Sequence, residues 1–336
     1  MKGVLFIMPK ISKNLSLSNA IIDYIDYCSY KNLSKKTIQA YFQTLTLFAE
    51  YCKTELNITD VNQVTKEIVE QYISFTKERG KYSYTSTSNK LMQNIFSKRD
   101  NYKRVSDCTL NNYLRNIKAF FSYFNEENIY KNNIHEVKYI KTQRKAKEQI
   151  TDVEYKRLLS VLDKSKFAEY RDFIICNTIF DTGMRLSETL ALTVDNVNLK
   201  ECSIILDGSI TKSKKDRVVF FSRKMQRLLK AYITYKDCVK DSDLLFPTQN
   251  NTMLKTNNFE SNFKKYLKRA KINKNITPHS LRNNFARRFL LNGGDIYTLS
   301  RILGHSSVKV TENAYLDLQD KDIRKMYNRY SPLENM

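Results

Sequence analysis

Four residues in the second half of the chain have types and spacings that suit the binding of an anion. His279 and Arg282 are three residues apart in the segment TPHSLR, so a helix there places both side chains on one face. His305 follows Gly304, where we expect a helix to end and a ligand to approach the backbone closely. Arg185 stands just after a glycine, in the segment TGMR. Since arginine binds phosphate oxygens through paired hydrogen bonds, the two arginines are predicted to hold a phosphodiester and to offset the charge that builds on it during attack.

The chain also carries residues that could serve as nucleophile and proton donor in the cleavage of a phosphodiester. Tyr315 lies ten residues after His305. A tyrosine hydroxyl, whose pKa is about 10, attacks phosphorus only when a base such as His279 accepts its proton. A lysine in a predicted β-hairpin would protonate the departing sugar oxygen. The hairpin offers three candidates: Lys212, Lys214 and Lys215.

The sequence lacks the patterns of other cleavage chemistries. It has no His and Cys spacing typical of a zinc site, no carboxylate cluster of the two-metal nuclease kind and no GxxxxGK[ST] phosphate loop. A phosphotyrosyl bond stores the energy of the cleaved linkage, so that rejoining needs no ATP. We therefore expect no metal and no cofactor.

Charge points to a polyanionic partner. The 336 residues include 57 Lys and Arg against 35 Asp and Glu, a formal net charge of +22, and at 41% hydrophobic residues the chain is too apolar for a disordered tail. Anionic lipid also attracts such charge, but the basic residues are spread along the chain rather than gathered in one amphipathic anchor. No signal peptide or membrane-spanning run is evident. We expect a cytoplasmic, nucleoid-associated protein that binds double-stranded DNA and no membrane.

The cysteines are scattered and form no CxxC pair, so we expect reduced thiols in the core rather than disulfides. There are six: Cys28, Cys52, Cys108, Cys176, Cys202 and Cys238.

The pattern of apolar residues predicts a mainly α-helical protein with a small antiparallel β-sheet in its C-terminal domain. Three stretches of helical spacing, one starting after Ser34, one ending at Gly80 and one over 110–124, predict a helical domain over 1–140. The polar segment 81–106 is predicted as a loop or as an extension that is ordered on a partner.

A basic linker is predicted over 141–150, followed by a mixed domain over 151–336. A charged run is usually a solvated face, but a basic linker between two basic domains is also typical of a protein that closes around a duplex. Thr277 and Pro278 predict a helix start, and Gly293 and Gly304 predict helix ends. The helices are predicted over 152–162, 167–180, 223–236, 257–270, 278–291, 295–303 and around 315, and the strands of a hairpin or three-stranded edge over 203–206 and 217–221.

Taken together, these motifs resemble the tyrosine recombinase, or phage integrase, family, and within it the Xer-like bacterial recombinases. The likeness covers roughly residues 150–318, and the helical first half is similar by pattern only. It implies a two-domain, C-shaped DNA clamp made of a helical core-binding (SAM-like) domain and an α+β catalytic domain. Four segments carry it: DTGMRLSETLALTVDNV (181–197), TKSKKDRVVF (211–220), TPHSLRNNFARRFLLNGGDI (277–296) and LGHSSVKVTENAYLDL (303–318).

The resemblance assigns roles to residues that match the family's motifs. The arginines bind the scissile phosphate, the lysine protonates the leaving 5′-oxygen, the histidines assist, and the tyrosine attacks to give a 3′-phosphotyrosyl intermediate. The interval between the last histidine and the tyrosine is one residue longer than is typical, and Tyr327 and Tyr330 lie nearby. The implied site residues are Arg185, Lys212, His279, Arg282, His305 and Tyr315.

The resemblance also implies an assembly and a biological role. Family members act as tetramers on two DNA sites and exchange strands through a Holliday junction. One implied role is chromosome dimer resolution of the Xer type, on a short inverted-repeat, dif-like site. In that role a cell-division DNA translocase would be a regulator. The absence of an evident extra N-terminal arm-binding domain favours this role. A mobile-element integrase, a monomeric type IB topoisomerase and a non-catalytic DNA-binding protein remain as alternatives, although a binding protein needs no positioned tyrosine and general acid.

Near its end the chain has an apolar stripe on a predicted helix over 321–329. The stripe is formed by Ile323, Met326, Tyr327 and Tyr330. It suits docking on a neighbouring subunit or packing on its own domain, and the sequence leaves both open.

Overall fold

The structure is a computed structural model that describes most of the chain. The described residues are 16–80, 104–127, 130–142, 148–209, 211, 215–305, 307–316, 322–324, 327–328, 331 and 333. Two compact units, 1–144 and 145–336, divide the chain inside the predicted linker. Most of the predicted loop over 81–106, and residues 143–147 of the linker, lie outside the described residues.

The first unit is built from helices whose apolar faces meet in one core. They are α1 (Leu17–Tyr30), α2 (Lys35–Leu56), α3 (Lys66–Arg79) and α4 (Asp107–Glu126), with short 3-10 turns at Val61–Gln63 and Ile134–Glu136. Ser34 caps α2 by accepting the N–H of Thr37, and α3 ends at Gly80, both as predicted. Aromatic rings from α2 and α4, among them Phe48 and Phe121, pack edge to face in the centre.

The second unit combines helices with one small sheet. Its helices are α5 (Asp152–Ser160), α6 (Phe167–Thr182), α7 (Leu186–Leu190), α8 (Arg223–Val239), α9 (Thr256–Arg269), α10 (Pro278–Leu291), α11 (Ile296–Leu303) and α12 (Val308–Leu316). Strands β1 (Val197–Asn198), β2 (Ser203–Leu206) and β3 (Arg217–Phe220) form an antiparallel sheet in the order β1-β2-β3. The prediction of a mainly α-helical protein with a small antiparallel sheet is confirmed. The sequence left a hairpin or a three-stranded edge as alternatives, and the sheet has three strands.

Three helix termini of the second unit determine the backbone conformation next to predicted site residues. The buried helix α6 ends at Gly183, whose left-handed φ of +69° turns the chain toward Arg185. Thr277 caps α10 through a hydrogen bond from the N–H of Ser280, with Pro278 at its first turn. Helix α11 ends at Gly304, also left-handed, directly before His305. Because α6 and α10 pack against each other, these termini belong to one rigid body.

The end of the predicted linker is packed rather than exposed. Ile150 is only 2% exposed and lies in the core of the second unit. Its carbonyl accepts a hydrogen bond of 2.9 Å from the amide of Asn284, which is itself fully buried in α10. Glu148 accepts the backbone N–H of Asn275. Of the predicted linker over 141–150, Ile150 therefore packs in the second unit through its contact with α10, while Glu148 is exposed.

The prediction for the cysteines is correct in part. All six are free thiols, and Cys28, Cys52 and Cys176 are buried. Cys108 in the first turn of α4 and Cys238 in the last turn of α8 are exposed, which contradicts the expectation of core positions. Both lie on the solvent side of an amphipathic helix.

The chain beyond α12 contacts its own unit through Asp322. The carboxylate of Asp322, which is buried, pairs with the guanidinium of Arg287 in α10. Of the predicted apolar stripe, Ile323 and Tyr327 are exposed, and Met326 and Tyr330 lie outside the described residues. Within the described ranges, no helix is both long and apolar enough to cross a bilayer.

The left-handed turn at Gly183 generates a prediction about stability. A Cβ atom there would overlap the ring of Phe285 and a methyl group of Leu303, and a residue other than glycine is strained at this φ. We expect Gly183→Ala to lower the free energy of unfolding by about 2 kcal/mol or more. Urea denaturation followed by circular dichroism measures this. Gly208→Ala, at a glycine without a left-handed φ, is the control, and equal midpoints for the two variants would contradict the account.

Candidate active site

Arg185, Arg282 and His305, all predicted from the sequence, converge in the second unit. The guanidinium of Arg282 donates to the carbonyl of Gly183 at 2.8 Å and to the carbonyl of Leu303 at 2.8 Å. Its Nη2 also lies 3.0 Å from Nε2 of His305. Arg282 therefore ties the end of α6 to the end of α11, and it is only 3% exposed.

Arg185 reaches the same place from the start of α7. Its Nη2 donates to the carbonyl of Gly304 at 3.2 Å, one residue before His305. Its side chain keeps 23% of its surface exposed, so that part of the side chain is accessible to a ligand. The two predicted arginines thus contact successive carbonyls at the end of α11, that of Leu303 for Arg282 and that of Gly304 for Arg185.

A buried carboxylate, Glu188, orients Arg185. Glu188 accepts the backbone N–H of Arg185 at 3.0 Å and its Nη1 at 2.8 Å. It also accepts Nη2 of Arg217 at 2.6 Å and Nη1 at 3.2 Å. Burial raises the pKa of Glu188, but the hydrogen bonds and charges of the two arginines outweigh this and hold its pKa below the usual range. Glu188 is therefore ionised at neutral pH and fixes two guanidinium groups at once.

The cluster has more positive than negative charge. Burial is the main cause that lowers the pKa of Arg282 to about 9, and the nearby charge of Arg185 adds to it. Arg282 remains protonated at neutral pH, with Glu188 as the carboxylate that opposes the lowering. An anion such as a phosphate would supply the missing negative charge.

His305 is held as a neutral ring in a defined tautomer. Nε2 faces Arg282, which has no acceptor atom, so Nε2 must accept the hydrogen bond. Nδ1 then carries the proton and donates to the hydroxyl of Thr311 in α12 at 2.8 Å. Thr311 is fully buried, which fixes the plane of the ring.

The surroundings of His305 disfavour its protonation. Burial is the main cause that lowers the pKa of His305 to about 4, and four neighbouring groups add to it. They are Arg282, Arg185, Arg217 and His279. His279 lies in the first turn of α10, is exposed, and is close enough to His305 to affect its charge.

Two predicted site residues lie wholly or partly outside the described residues. Lys212 lies outside the described residues, as does the alternative Lys214, while Lys215 is described and exposed. The backbone of Tyr315 is described as part of α12, and its side chain lies outside the described part of the chain. Helix α12 packs against both α10 and α11, the helices that carry Arg282 and lead to His305.

Three residues of the cluster, Glu188, Arg217 and Thr311, were not predicted from the sequence. Arg217 had a detectable signal, because it lies in phase with Val219 in β3, whose side chain is buried, while Val218 and Phe220 are exposed. An arginine on the inner face of a strand requires a buried partner. Thr311 had no such signal, because its contact with His305 depends on how α12 packs.

The arrangement is suited to binding a tetrahedral anion. Two guanidinium groups and a neutral imidazole meet at helix ends, and the carboxylate beside them is already engaged by arginines. Among the described residues, no group of His, Cys, Asp and Glu is arranged to hold a metal ion. The chemistry that these side chains offer is the stabilisation of negative charge on a phosphorus centre.

Comparisons with known proteins agree with this geometry. The sequence model of the Phage integrase family matches residues 148–322, and that of the "Phage integrase, N-terminal SAM-like domain" matches residues 21–92. The chain is 25% identical over 322 residues to "Tyrosine recombinase XerD" of Staphylococcus epidermidis, a match that covers 94% of this chain and 99% of the relative.

Two solved structures share the fold. The Tn1549 transposon integrase in complex with a circular intermediate DNA has a TM-score of 0.73 at 17% identity, covering 94% of this chain and 99% of the other. The XerH site-specific recombinase bound to palindromic difH has a TM-score of 0.66 at 20% identity, covering 94% and 85%. Because the family model spans more than half of the chain, this chain belongs to the phage integrase family, as a Xer-like tyrosine recombinase.

Proposed function

We propose that this enzyme cleaves and rejoins DNA at a specific site through a covalent phosphotyrosyl intermediate. The observation that carries the proposal is the convergence of Arg185, Arg282 and His305 on one anion-binding cluster in a chain of the phage integrase family. The net charge of +22 supports a DNA duplex as the polyanion. Both units would contribute phosphate contacts, the first through its SAM-like fold.

In the proposed reaction, the hydroxyl oxygen of Tyr315 attacks the scissile phosphorus while its proton passes to His279. The bond from phosphorus to the 5′-oxygen breaks, and Lys212 gives a proton to that oxygen. The products are a 3′-phosphotyrosyl bond and a free 5′-hydroxyl. In the reverse step a 5′-hydroxyl from another strand attacks the phosphotyrosine and releases the tyrosine, so that no ATP is consumed.

The arginines would act chiefly in the transition state. As the tyrosine attacks, negative charge grows on the non-bridging oxygens, and preorganised guanidinium groups stabilise it without reorganisation. Arg282 is fixed by two backbone carbonyls and Arg185 by Glu188, so neither has to be ordered when DNA binds. His305, neutral and oriented by Thr311, would hold Arg282 in place.

For the biological role we propose Xer-type resolution of chromosome dimers. The match to XerD along nearly the whole chain supports this role. A homotetramer would act on two short inverted-repeat, dif-like sites through a Holliday junction, in the cytoplasm and under the control of a cell-division DNA translocase. A mobile-element integrase is the second candidate, favoured by the higher TM-score of the transposon integrase. Recombination between two directly repeated sites, with excision of the DNA between them, separates either recombinase from a topoisomerase, which only relaxes supercoils.

The nucleophile can be identified by trapping. On nicked duplex fragments of the source genome, a cleaved strand end diffuses away and the covalent adduct accumulates. We expect SDS-resistant adducts with the wild type, mapping to one short inverted repeat, and none with Tyr315→Phe, which lacks the attacking oxygen. Tyr327→Phe is the control, because this tyrosine is exposed beyond α12. Adducts with Tyr315→Phe but not with Tyr327→Phe would move the nucleophile to Tyr327, and no adduct with the wild type would contradict the function.

The state of His305 in the DNA-free enzyme generates a pH prediction. A folded-state pKa of about 4, below the ordinary value of about 6.5, means that the unfolded chain binds the proton first as pH falls. Its contribution to stability is therefore complete above about pH 6.5 and is lost as pH falls toward 4. We expect the wild type to lose about 2 kcal/mol more than His305→Gln between pH 7 and pH 4.5, within the limit of about 1.4 kcal/mol per pH unit.

Urea unfolding at the two pH values measures this loss, in buffers without phosphate or sulfate, since a bound anion would raise the pKa of His305. His135→Gln, in the first unit, is the control and should keep the acid sensitivity of the wild type. An equal loss of stability in His305→Gln and the wild type would contradict the assignment.

A further inference from the structure

Arg217 connects two parts of the site that are far apart in sequence. Both of its terminal nitrogens donate to the carboxylate of Glu188, and its Nε donates to the carbonyl of Ile302 at 3.3 Å. The same carboxylate holds Arg185. The guanidinium of Arg217 therefore contacts both Glu188, which holds Arg185, and the last turn of α11, just before His305.

The position of Gly304 shows how closely Arg217 approaches that turn. A Cβ atom on Gly304 would lie 2.9 Å from Cδ and Nε of Arg217. Gly304 is left-handed, with a φ of +63°, and its carbonyl accepts from Arg185. The guanidinium of Arg217 thus packs directly against the turn whose conformation places His305.

The backbone of Arg217 belongs to the β2–β3 hairpin. It is the first residue of β3 and pairs with Leu206, the last residue of β2. Just before it, Asp216 accepts the N–H of Gly208 at 2.6 Å. The hydroxyl of Thr211 lies 3.1 Å from the carbonyl of Lys215. These contacts close the base of the loop in which Lys212 stands, so the orientation of that base depends on where Arg217 is anchored.

We propose that Arg217 is a positioning residue that sets the general-acid hairpin relative to the phosphate-binding arginines. The inference rests on the proposed function, and in particular on Lys212 as the proton donor. A single side chain with three bonded nitrogens fixes the base of the hairpin to Glu188 and to α11. The proton donor then approaches the leaving oxygen only when Arg217 holds this anchor.

A planar guanidinium is required for this geometry. Its fork binds the two oxygens of Glu188 while Nε reaches the carbonyl of Ile302. A lysine at this position keeps the charge beside Glu188 but has one nitrogen on a flexible stem, and it cannot make the three contacts together. Arg217→Lys should therefore retain the fold and loosen the hairpin.

The experiment compares two leaving groups on the DNA site mapped by adduct trapping. An ordinary phosphodiester needs a proton on its departing 5′-oxygen, whereas a 5′-bridging phosphorothioate releases a thiolate that needs none. Cleavage rates in a single turnover are measured for the wild type, Lys212→Ala, Arg217→Lys and Arg217→Met. The matched control is Arg223→Met, because Arg223 is exposed at the start of α8 and bonds the side chain of Gln226.

We expect Arg217→Met to cleave the oxygen substrate at least about a hundredfold more slowly than the wild type, as does Lys212→Ala. On the sulfur substrate both variants should come within about tenfold of the wild type. Arg217→Lys should show the same pattern with a smaller loss, and Arg223→Met should match the wild type on both substrates.

Equal loss on both substrates would overturn the inference, because it would place Arg217 in the support of Arg185 alone. No loss on either substrate would overturn it as well. If Arg217→Met does not fold, Arg217→Lys decides by the same criterion. Failure of the proposed function looks different: the wild type would cleave neither substrate, or Lys212→Ala would not recover on sulfur.

Discussion

The buried carboxylate of Glu188 is the interaction on which the rest of the site depends. A carboxylate that loses its water is several kcal/mol less stable unless it is paired and hydrogen-bonded. Glu188 meets this demand with the backbone N–H of Arg185 and with the guanidinium groups of Arg185 and Arg217. If either arginine moved away, the buried carboxylate of Glu188 would lose a partner for its charge. Both arginines are therefore held in one conformation before any ligand binds.

The same pairing leaves the cluster short of negative charge. Arg282 adds a further cation, and burial, together with the nearby positive charges, lowers the pKa of both Arg282 and His305. A bound phosphodiester would oppose these shifts, since an anion favours the charged form of its neighbours. Part of the binding energy of DNA would thus come from relieving repulsion that the folded protein already contains. A site arranged in this way favours the binding of an anion.

Local sequence signals were sufficient for elements that depend on neighbouring residues. The serine before α2, the Thr-Pro start of α10 and the glycine after α11 mark helix ends through contacts within a few residues, and the structure has each of them. The site motifs were detected for the same reason, because each is a short segment at such an end. By contrast, Ile150 packs in the core of the second unit and its carbonyl accepts a hydrogen bond from Asn284, contacts with residues far away in sequence that the linker's own residues do not indicate. The anchoring of Arg217 likewise depends on which face of β3 meets the core, and the exposure of Cys238 on which face of α8 does.

The contact between His305 and Thr311 connects the arginine cluster to α12, the helix that contains Tyr315. Thr311 and Tyr315 are four residues apart in α12, so they occupy one face of that helix. The hydroxyl of Thr311 accepts a hydrogen bond from the N–H at Nδ1 of His305, whose Nε2 accepts one from Arg282. A shift of α12 along its axis would break this hydrogen bond before it moved Arg282, which backbone carbonyls hold independently. The hydrogen bond that orients the ring of His305 therefore depends on the position of α12, whereas the backbone contacts that hold Arg282 do not.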